Sequence, residues 1–258
     1  MNKEKLKEII LEAGVTLKEG FYSKKEITHK GTKDLVTIYD VAIEKFLIEK
    51  FVREFSEYNI IAEESDNKNV EFHNSIIIDP IDGTTNFANG VPHVAISVGV
   101  YKNKRPLIGM VYNPILEEFF EAEFGNGAYL NGERISVSEE SSFQKSLLSS
   151  GFPYSTSENK KDLDEVLNKL KTILPVCQDV RRFGAASLDI CYVARGMLEG
   201  YYEMNLKAWD VAAAIIILAE AGGRFSSIDG SDYILFYEKY IVASNGNIHR
   251  ELIEKLAL

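Results

Sequence analysis

Two aspartates, Asp79 and Asp82, follow a short aliphatic run at residues 76–78. An uninterrupted β-branched run predicts a buried strand, and Pro80, which cannot donate to a strand ladder, predicts that the strand stops just past Asp79. A glycine and two threonines at residues 83–85 add a permissive backbone and hydroxyl groups beside the carboxylates. Carboxylate oxygens next to exposed N–H groups indicate a site for a metal ion and a phosphate.

The same residues also have a purely structural interpretation. Asp-Pro and Asp-Gly are common turn dipeptides, and an Asp or Thr after a strand often caps the next helix. Either pair alone would favour that interpretation. Their combination in one string, residues 79–87, favours a functional site over a purely structural role.

Further acidic residues are expected near these aspartates. Residues 58–62 predict a strand that ends at Glu63 and Glu64, and a helix is predicted to begin near Asp210. Alone, the two glutamates are typical of a solvated turn and Asp210 of a helix N-cap. Strand ends in an α/β sheet usually meet where ligands bind, and clustered carboxylates repel one another unless cations neutralise them. A ligand set made only of oxygens favours Mg²⁺ over Zn²⁺.

Composition and charge narrow the class of protein. The 258 residues are 45% hydrophobic, which suits one large α/β enzyme. The net charge of −10 and the lack of a dense basic block exclude a general nucleic-acid binder. The longest aliphatic run, residues 211–219, is shorter than the roughly 18 residues that a membrane span needs, and the charged start of the chain lacks a signal-peptide pattern. The sequence therefore predicts a cytoplasmic protein with no membrane partner.

The cysteines and histidines show no metal-ligand spacing. Cys177 and Cys191 are expected to be buried, reduced thiols. The histidines are expected on the surface or in loops: His29, His73, His93 and His249.

Hydrophobic periodicity predicts the elements that position the acidic residues. Helices are predicted over residues 3–21, 41–55, 163–173, 185–195, 209–221 and 248–256, with Asp40 as a candidate N-cap of the second. Strands are predicted over residues 58–62, 76–79, 94–101, 107–112, 119–124, 128–130, 134–137, 146–150, 176–183, 198–204, 224–227 and 240–244. Asn131-Gly132 is the strongest hairpin signal, and residues 30–40 predict a flexible loop that leads into a short extended piece.

Three stretches resemble the signature motifs of the inositol monophosphatase family: residues 63–65, 79–87 and 209–213. Weaker similarity covers residues 30–40, 151–154 and 184–203. The resemblance implies an α/β fold, the layered αβαβα sandwich of the inositol monophosphatase/fructose-1,6-bisphosphatase type. It also implies a protein that is commonly a homodimer, and a Mg²⁺-dependent, often lithium-sensitive phosphatase. Separately, the length and a Ser-rich joint at residues 138–142 predict a single catalytic domain over residues 1–258 with lobes at 1–142 and 143–258.

The resemblance assigns metal ligands by position. Glu63, Asp79 and the backbone carbonyl of Ile81 would hold one Mg²⁺, while Asp79, Asp82 and Asp210 would hold a second. Asp79 would bridge the two ions, and a third, looser Mg²⁺ would lie near Glu63. The resemblance thus implies two or three ions in each site.

The resemblance also assigns the residues that handle water and phosphate. Thr84, oriented by Asp40, would position the attacking water, and Glu64 would be a supporting acid. The backbone N–H groups of Gly83 and Thr84 would bind phosphate oxygens. Water would attack phosphorus in line, without a phosphoenzyme.

The substrate pocket is expected to include Ala186, Glu203 and Lys207. The first two correspond to positions that contact sugar or polyol hydroxyls, whereas Lys207 stands where several animal members carry His. Lys207, Arg181 or Arg182 could meet a second phosphate, as in fructose 1,6-bisphosphate, or be ordinary surface cations. The expected activity is inositol-1-monophosphatase, with fructose-1,6-bisphosphatase activity as an addition.

Other functions remain open at this stage. The haloacid dehalogenase superfamily also places Asp-x-Asp-Gly-Thr after a strand, but here two residues separate the aspartates and the motif lies far into the chain. A calcium-binding loop fails because Gly90 stands where a bidentate Glu is needed. Hydrolysis of NADP or 3′-phosphoadenosine 5′-phosphate, and a binding role in transcription complexes through protein contacts, are the alternatives.

Overall fold

The computed structural model describes residues 1–23, 27–29, 35–67 and 70–257. The loop predicted at residues 30–34 lies outside these ranges. The helices are α1 Lys3–Tyr22, α2 Ile38–Glu54, α3 Thr84–Asn89, α4 Lys160–Ile173, α5 Ala186–Ala194, α6 Ala208–Glu220 and α7 His249–Leu256. The strands are β1 Ile27–His29, β2 Leu35–Thr37, β3 Asn59–Ala62, β4 Ser75–Asp82, β5 Ala95–Lys102, β6 Arg105–Asn113, β7 Glu118–Glu123, β8 Gly127–Leu130, β9 Glu133–Ile135, β10 Leu147–Ser150, β11 Asp179–Arg181, β12 Gly200–Met204, β13 Arg224–Ser226 and β14 Tyr240–Ser244.

Two mixed sheets carry the fold. The larger has the strand order β3-β4-β5-β6-β7-β8-β9, in which only β3 and β4 are parallel. The smaller has the order β11-β10-β12-β14-β13, with β10 parallel to both of its neighbours. Strands β1 and β2 form a separate antiparallel pair.

The helices and sheets form five layers. Helices α1 and α2 cover one face of the larger sheet, and α5 and α6 lie between the two sheets. Helix α7 packs on β14 of the smaller sheet and against α4, which completes the outer layer. This arrangement confirms the predicted α/β fold class and its αβαβα order. The division into lobes at residue 142 stays a prediction.

Glycines in the larger sheet allow α6 to lie very close to it. A Cβ on Gly99 would lie 2.9 Å from the Ala212 carbonyl carbon, and one on Gly109 would overlap the Ala213 carbonyl oxygen. Glycine in a strand is typical of such a close backbone approach. The contact fixes the N-terminal half of α6, which carries Asp210.

Strand β4 is longer than the sequence suggested. It runs to Asp82 and does not stop at Asp79, and all of its residues are buried. The pairing with β5 shifts register between Asp79 and Asp82. Pro80 is tolerated in this irregular segment because a bulge interrupts the ladder that would otherwise need its N–H group. The irregularity keeps both aspartates at the end of one strand.

The two aspartates predicted as N-caps are inside their helices. Helix α2 begins at Ile38 with Thr37 as its N-cap, and α6 begins at Ala208, so Asp40 and Asp210 are each the third helical residue. Asp40 Oδ2 accepts the Thr37 N–H at 2.8 Å, and Asp210 Oδ2 accepts the Lys207 N–H at 2.6 Å. An acid at this position returns a hydrogen bond to the cap residue and retains its other oxygen for a further partner.

The remaining predictions have mixed outcomes. The other predicted helices and strands occur close to their predicted positions, whereas α3 and β1 were not predicted. The Asn131-Gly132 hairpin is confirmed, with both residues at positive φ. His93 lies in a loop, one of the two settings predicted for the histidines, although it is buried, and the prediction was wrong for His249, which is buried at the start of α7. Both cysteines are free thiols, of which Cys191 is buried and Cys177 half-buried. Among the helices of the described residues, none has the length and apolar character to cross a membrane.

Candidate active site

A cavity of about 940 Å³ lies where α3, α5 and α6 begin. The predicted site residues that line it are Glu63, Asp82, Gly83, Ala186, Glu203, Lys207 and Asp210. The others do not line it: Asp40, Glu64, Asp79, Ile81 and Thr84. Asp79 shares a hydrogen bond with Glu63 of the first group and accepts the N–H of Ile81. Thr84 in turn lies within hydrogen-bond distance of Ile81 and Asp40, so the structure brings most predicted residues into one connected cluster.

The parallel pair β3 and β4 brings the first acids together. Ala62 pairs with Ile78, so the residues that follow, Glu63 and Asp79, are neighbours. Their side chains share a hydrogen bond, and Asp79 is almost fully buried. Burial raises the pKa of Asp79 well above its usual range, and the charges of Glu63, Asp82 and Asp210 raise it further.

Asp82 is held by Ser187, at the start of α5. Asp82 Oδ2 accepts the Ser187 N–H at 2.7 Å and its hydroxyl at 2.5 Å. Burial raises the pKa of Asp82, and the two Ser187 donors oppose that rise. The charged carboxylate is thus stabilised in one orientation.

Asp210 completes the acidic cluster from the other side. Burial raises its pKa to about 8, and the charge of Asp82 adds to the rise, whereas the Lys207 N–H opposes it. Like charges in a poorly hydrated site disfavour simultaneous ionisation unless a cation compensates them. The cluster therefore favours a bound cation.

The donor chemistry of the cluster is compatible with Mg²⁺. Within the described part of the chain, no three acidic, histidine or cysteine side chains form a ready-made set around one ion. Mg²⁺ commonly uses one or two carboxylates and completes its coordination with water and substrate phosphate. The neighbouring carboxylates with raised pKa values can supply one or two ligands to each ion, so their chemistry fits Mg²⁺. Which carboxylates bind which ion stays a prediction.

Thr84 lies immediately behind the cavity, in the first turn of α3. Its hydroxyl is 3.1 Å from Asp40 Oδ1 and 3.1 Å from the Ile81 carbonyl oxygen. One hydroxyl proton serves one of these acceptors at a time. Asp40 is fully buried, and its Oδ2 accepts the hydroxyl of Thr37 at 2.5 Å, so its carboxylate is held rigidly toward Thr84.

The Glu63-Glu64 turn depends on a residue that the sequence did not single out. Glu44, buried in α2, accepts the Glu64 N–H at 2.8 Å and the Ser65 hydroxyl at 2.7 Å. These two bonds fix the turn that follows β3. Glu64 itself does not line the cavity, so its contribution is expected to be indirect.

The lining of the cavity also includes Glu203 and two cations. The Tyr201 hydroxyl donates to Glu203, and burial raises the pKa of Glu203 to about 8. Lys207 and Arg182 line the cavity and make no ion pair with any described residue, whereas Arg181 is paired with Asp179 at 2.5 Å. The structure thus separates the three cations that the sequence left equivalent.

A family model described as the inositol monophosphatase family matches residues 3–257. The chain belongs to the inositol monophosphatase family.

Curated relatives in this family are about one third identical over nearly the whole chain. Inositol monophosphatase 2 of Solanum lycopersicum is 36% identical over 250 residues, which cover 95% of this chain and 93% of that protein. The Nus factor SuhB of Pasteurella multocida is 35% identical over 249 residues (95% and 91%). The fructose-1,6-bisphosphatase/inositol-1-monophosphatase of Aquifex aeolicus is 34% identical over 246 residues (95% and 90%).

A solved structure extends the similarity to three dimensions. The extragenic suppressor protein SuhB of Bartonella henselae superposes with a TM-score of 0.90 at 31% identity, over 98% of this chain and 97% of that chain. Membership of the inositol monophosphatase family supports a phosphatase activity, and this family is generally metal-dependent. The SuhB names show that relatives with the same fold are also known by other roles.

Sequence reasoning missed three groups that hold the site in this inositol monophosphatase family member. Ser187 and Glu44 are described above. The third is a buried pair in which His93 Nε2 lies 3.2 Å from Asp189 Oδ1. Burial lowers the pKa of His93 to about 4 and raises that of Asp189 well above its usual range, so the neutral imidazole and the protonated carboxyl are favoured. Of these residues, only Ser187 and Asp189 could have been singled out from the sequence, because both lie in segment 184–203, which resembles the family.

Proposed function

We propose that the protein is a Mg²⁺-dependent phosphatase that hydrolyses small sugar or polyol phosphate monoesters, with inositol 1-phosphate as its leading substrate. The observation that carries the proposal is the acidic cluster at the cavity: Glu63, Asp82 and Asp210 line it, and all three raise the pKa of Asp79 beside them. Such a cluster is favourable only when cations compensate it.

Each part of the chain then has a proposed task. Bound at the carboxylates, Mg²⁺ would supply positive charge to phosphate oxygens and to the attacking water. The N–H groups of Gly83 and Thr84, at the start of α3, have no acceptor within the helix and would donate to phosphate oxygens. Thr84, with its proton directed to Asp40, would accept a hydrogen bond from the water and hold it in line with phosphorus.

The remaining lining of the cavity supports a polyol substrate. Glu203 and Ala186 line the cavity, where the alcohol part of the ester would lie. A carboxylate can accept hydrogen bonds from ring hydroxyls. Lys207 and Arg182 would in addition meet a second phosphate, so we include fructose 1,6-bisphosphate as a substrate, in keeping with the name of the Aquifex aeolicus relative.

Phosphate release from a panel of esters tests the proposal. Myo-inositol 1-phosphate, fructose 1,6-bisphosphate, NADP and 3′-phosphoadenosine 5′-phosphate are each offered with Mg²⁺. We expect hydrolysis of the first two to exceed that of the two nucleotides. A clear preference for either nucleotide would replace the proposed substrate class.

The neighbouring arginines provide a matched pair of variants. Arg182→Met removes a cation that lines the cavity, whereas Arg181→Met removes one that is paired with Asp179 outside it. We expect Arg182→Met to lower kcat/KM for fructose 1,6-bisphosphate about tenfold more than for inositol 1-phosphate, because a charged hydrogen bond contributes about 1.5–3 kcal/mol. Arg181→Met is expected to change neither value.

The cellular setting follows from the family resemblance. We propose a cytoplasmic homodimer that is inhibited by Li⁺ and folds as one catalytic domain in two lobes. Light scattering of the purified chain tests the homodimer, and phosphate release with and without Li⁺ tests the inhibition. A monomer in solution would remove the homodimer from the proposal without affecting the phosphatase assignment.

A second candidate function is a binding role through protein contacts, which the name of the Pasteurella multocida relative favours. This role does not need the acidic cluster. A pull-down that recovers transcription factors equally with the wild type and with Asp82→Asn would support it. Recovery that depends on Asp82, or no recovery, would contradict it.

A further inference from the structure

A second cavity, of about 870 Å³, lies beside the candidate active site. Trp209, Phe236 and Tyr237 line both cavities and so form a shared wall. Ligand sites for small molecules typically enclose about 300–1,000 Å³. The second cavity has this size, and the phosphatase proposal does not use it.

The lining of this second cavity is mainly aromatic and aliphatic. The ring of Phe72 lies 5.3 Å from that of Tyr101 and 5.0 Å from that of Phe236, both edge to face. Ile216 of α6 and Phe225 of β13 add further apolar surface. Ring faces and edges in such an arrangement favour a flat aromatic partner.

Two polar side chains of the wall are already engaged within the protein. The Tyr101 hydroxyl donates to the Ala212 carbonyl oxygen at 2.9 Å. The Glu220 carboxylate accepts the N–H groups of Gly125 and Gly127, each at 2.8 Å. Because most of the lining is aromatic or aliphatic, the affinity of an occupant must come chiefly from apolar contact.

The rim of the cavity exposes large apolar side chains. Phe124 is 67% exposed, Ile234 54% and Tyr237 84%. Covering such surface is favourable by about 25 cal/mol per Å². The walls come from the loop after β3, the β5–β6 hairpin, α6 and residues 233–237, so the surface is concave and admits a small molecule more readily than a flat protein face.

We propose that this second cavity is a binding site for an uncharged, planar aromatic molecule, and that its occupant contacts the wall shared with the catalytic cavity. Trp209 is the tryptophan of that wall and the only one in the sequence. Since the next residue is Asp210, an occupant would lie against the turn that carries a proposed metal ligand. The binding claim does not depend on the proposed phosphatase activity.

Titration with the uncharged dye N-phenyl-1-naphthylamine tests the site, because energy transfer from Trp209 to the dye reports proximity. We expect saturable binding of one dye per chain with efficient transfer. Ala219→Phe places a large side chain at an exposed α6 position that lines the cavity, and we expect it to weaken binding about tenfold or more. Ala257→Phe, an exposed alanine outside the lining, is the matched control and should bind like the wild type.

Thermal unfolding of both variants shows whether they are folded. If folded Ala219→Phe binds the dye as tightly as Ala257→Phe, or if no transfer from Trp209 occurs, the proposal is overturned. It is also overturned if the wild type excludes the dye and light scattering shows that Ala219→Phe dissociates an oligomer. In that case a second copy of the chain covers the cavity.

Discussion

Ser187 holds the Asp82 carboxylate with two donors that meet at one oxygen, the backbone N–H at 2.7 Å and the hydroxyl at 2.5 Å. The two residues are far apart in the sequence: Asp82 ends strand β4, and Ser187 lies in helix α5. This contact therefore ties the first acidic motif to the second half of the chain. Asp82, held in this way, lines the cavity.

Replacement of Ser187 tests this positioning. Ser187→Ala removes the hydroxyl donor but keeps the backbone bond. Loss of such a supporting contact typically costs about 10- to 100-fold in metal affinity or activity. We expect a higher Mg²⁺ concentration for half-maximal activity with a smaller change at saturating Mg²⁺. Ser187→Thr, which restores a hydroxyl, is the control and should recover most of the loss. An unchanged Mg²⁺ requirement in Ser187→Ala would remove the positioning role.

The hydroxyl of Thr84 is expected to act in the chemical step. Thr84→Val keeps the shape of the side chain but cannot accept a hydrogen bond from water, so kcat should fall by about 10²-fold or more, as for the loss of a group that positions a proton. Thr84→Ser should retain most of the activity because it keeps the hydroxyl near Asp40. Steady-state kinetics with inositol 1-phosphate distinguish the two. Equal rates in both variants would show that the hydroxyl has no part in turnover.

The close approach of α6 to the larger sheet predicts a stability effect. Gly109→Ala would force a methyl group into the Ala213 carbonyl, and overpacking of this kind costs about 1–3 kcal/mol. Urea denaturation should show a lower midpoint with an unchanged slope. Because α6 carries Asp210, we expect kcat to fall as well. A midpoint equal to that of the wild type would mean that the helix can move outward freely.

Acid stability should depend on His249. Its ring nitrogens lie 2.8 Å from the Ser244 hydroxyl and 2.9 Å from that of Ser226, and burial lowers its pKa from 6.5 to about 4. Between these pH values the unfolded chain binds a proton that the folded chain does not, so stability is full above pH 6.5 and is lost as the pH falls toward 4.

His249→Gln removes this titration and isolates its effect. The wild type should lose about 3 kcal/mol more of unfolding free energy than the variant between these two pH values, from about 1.4 kcal/mol per pKa unit. His93, whose pKa burial also lowers to about 4, is present in both proteins and so cancels from the difference. Parallel stability curves for the two proteins would contradict the assignment.

Much of the fold and of the acidic cluster was predictable because its signals are local. Short aliphatic runs followed by acids located Glu63, Asp79 and Asp82, and helical periodicity located the start of α6 near Asp210. The N-caps predicted at Asp40 and Asp210 lie three residues too late in the chain. An acid at the third helical position and an acid at the cap both precede an apolar stripe, so the sequence pattern does not distinguish them.

Contacts between distant parts of the chain were not predictable from spacing. Ser187 and Glu44 are ordinary helix residues in the sequence, and their roles arise only when α5 meets β4 and α2 meets the turn after β3. The burial of His93 was not predictable, because an isolated histidine in a loop has no local signal for burial. The second cavity likewise combines segments that share no motif.

The central claim is that the acidic cluster uses Mg²⁺ to hydrolyse a phosphate monoester, and the most direct test is phosphate release from inositol 1-phosphate by metal-stripped protein before and after Mg²⁺ is added. We predict no turnover before addition and full turnover after it. Asp82→Asn and Asp210→Asn should remain folded and inactive at any Mg²⁺ concentration, whereas Asp164→Asn, at an exposed position of α4, should behave like the wild type. Turnover without metal, or near-normal rates in both cluster variants, would contradict the account.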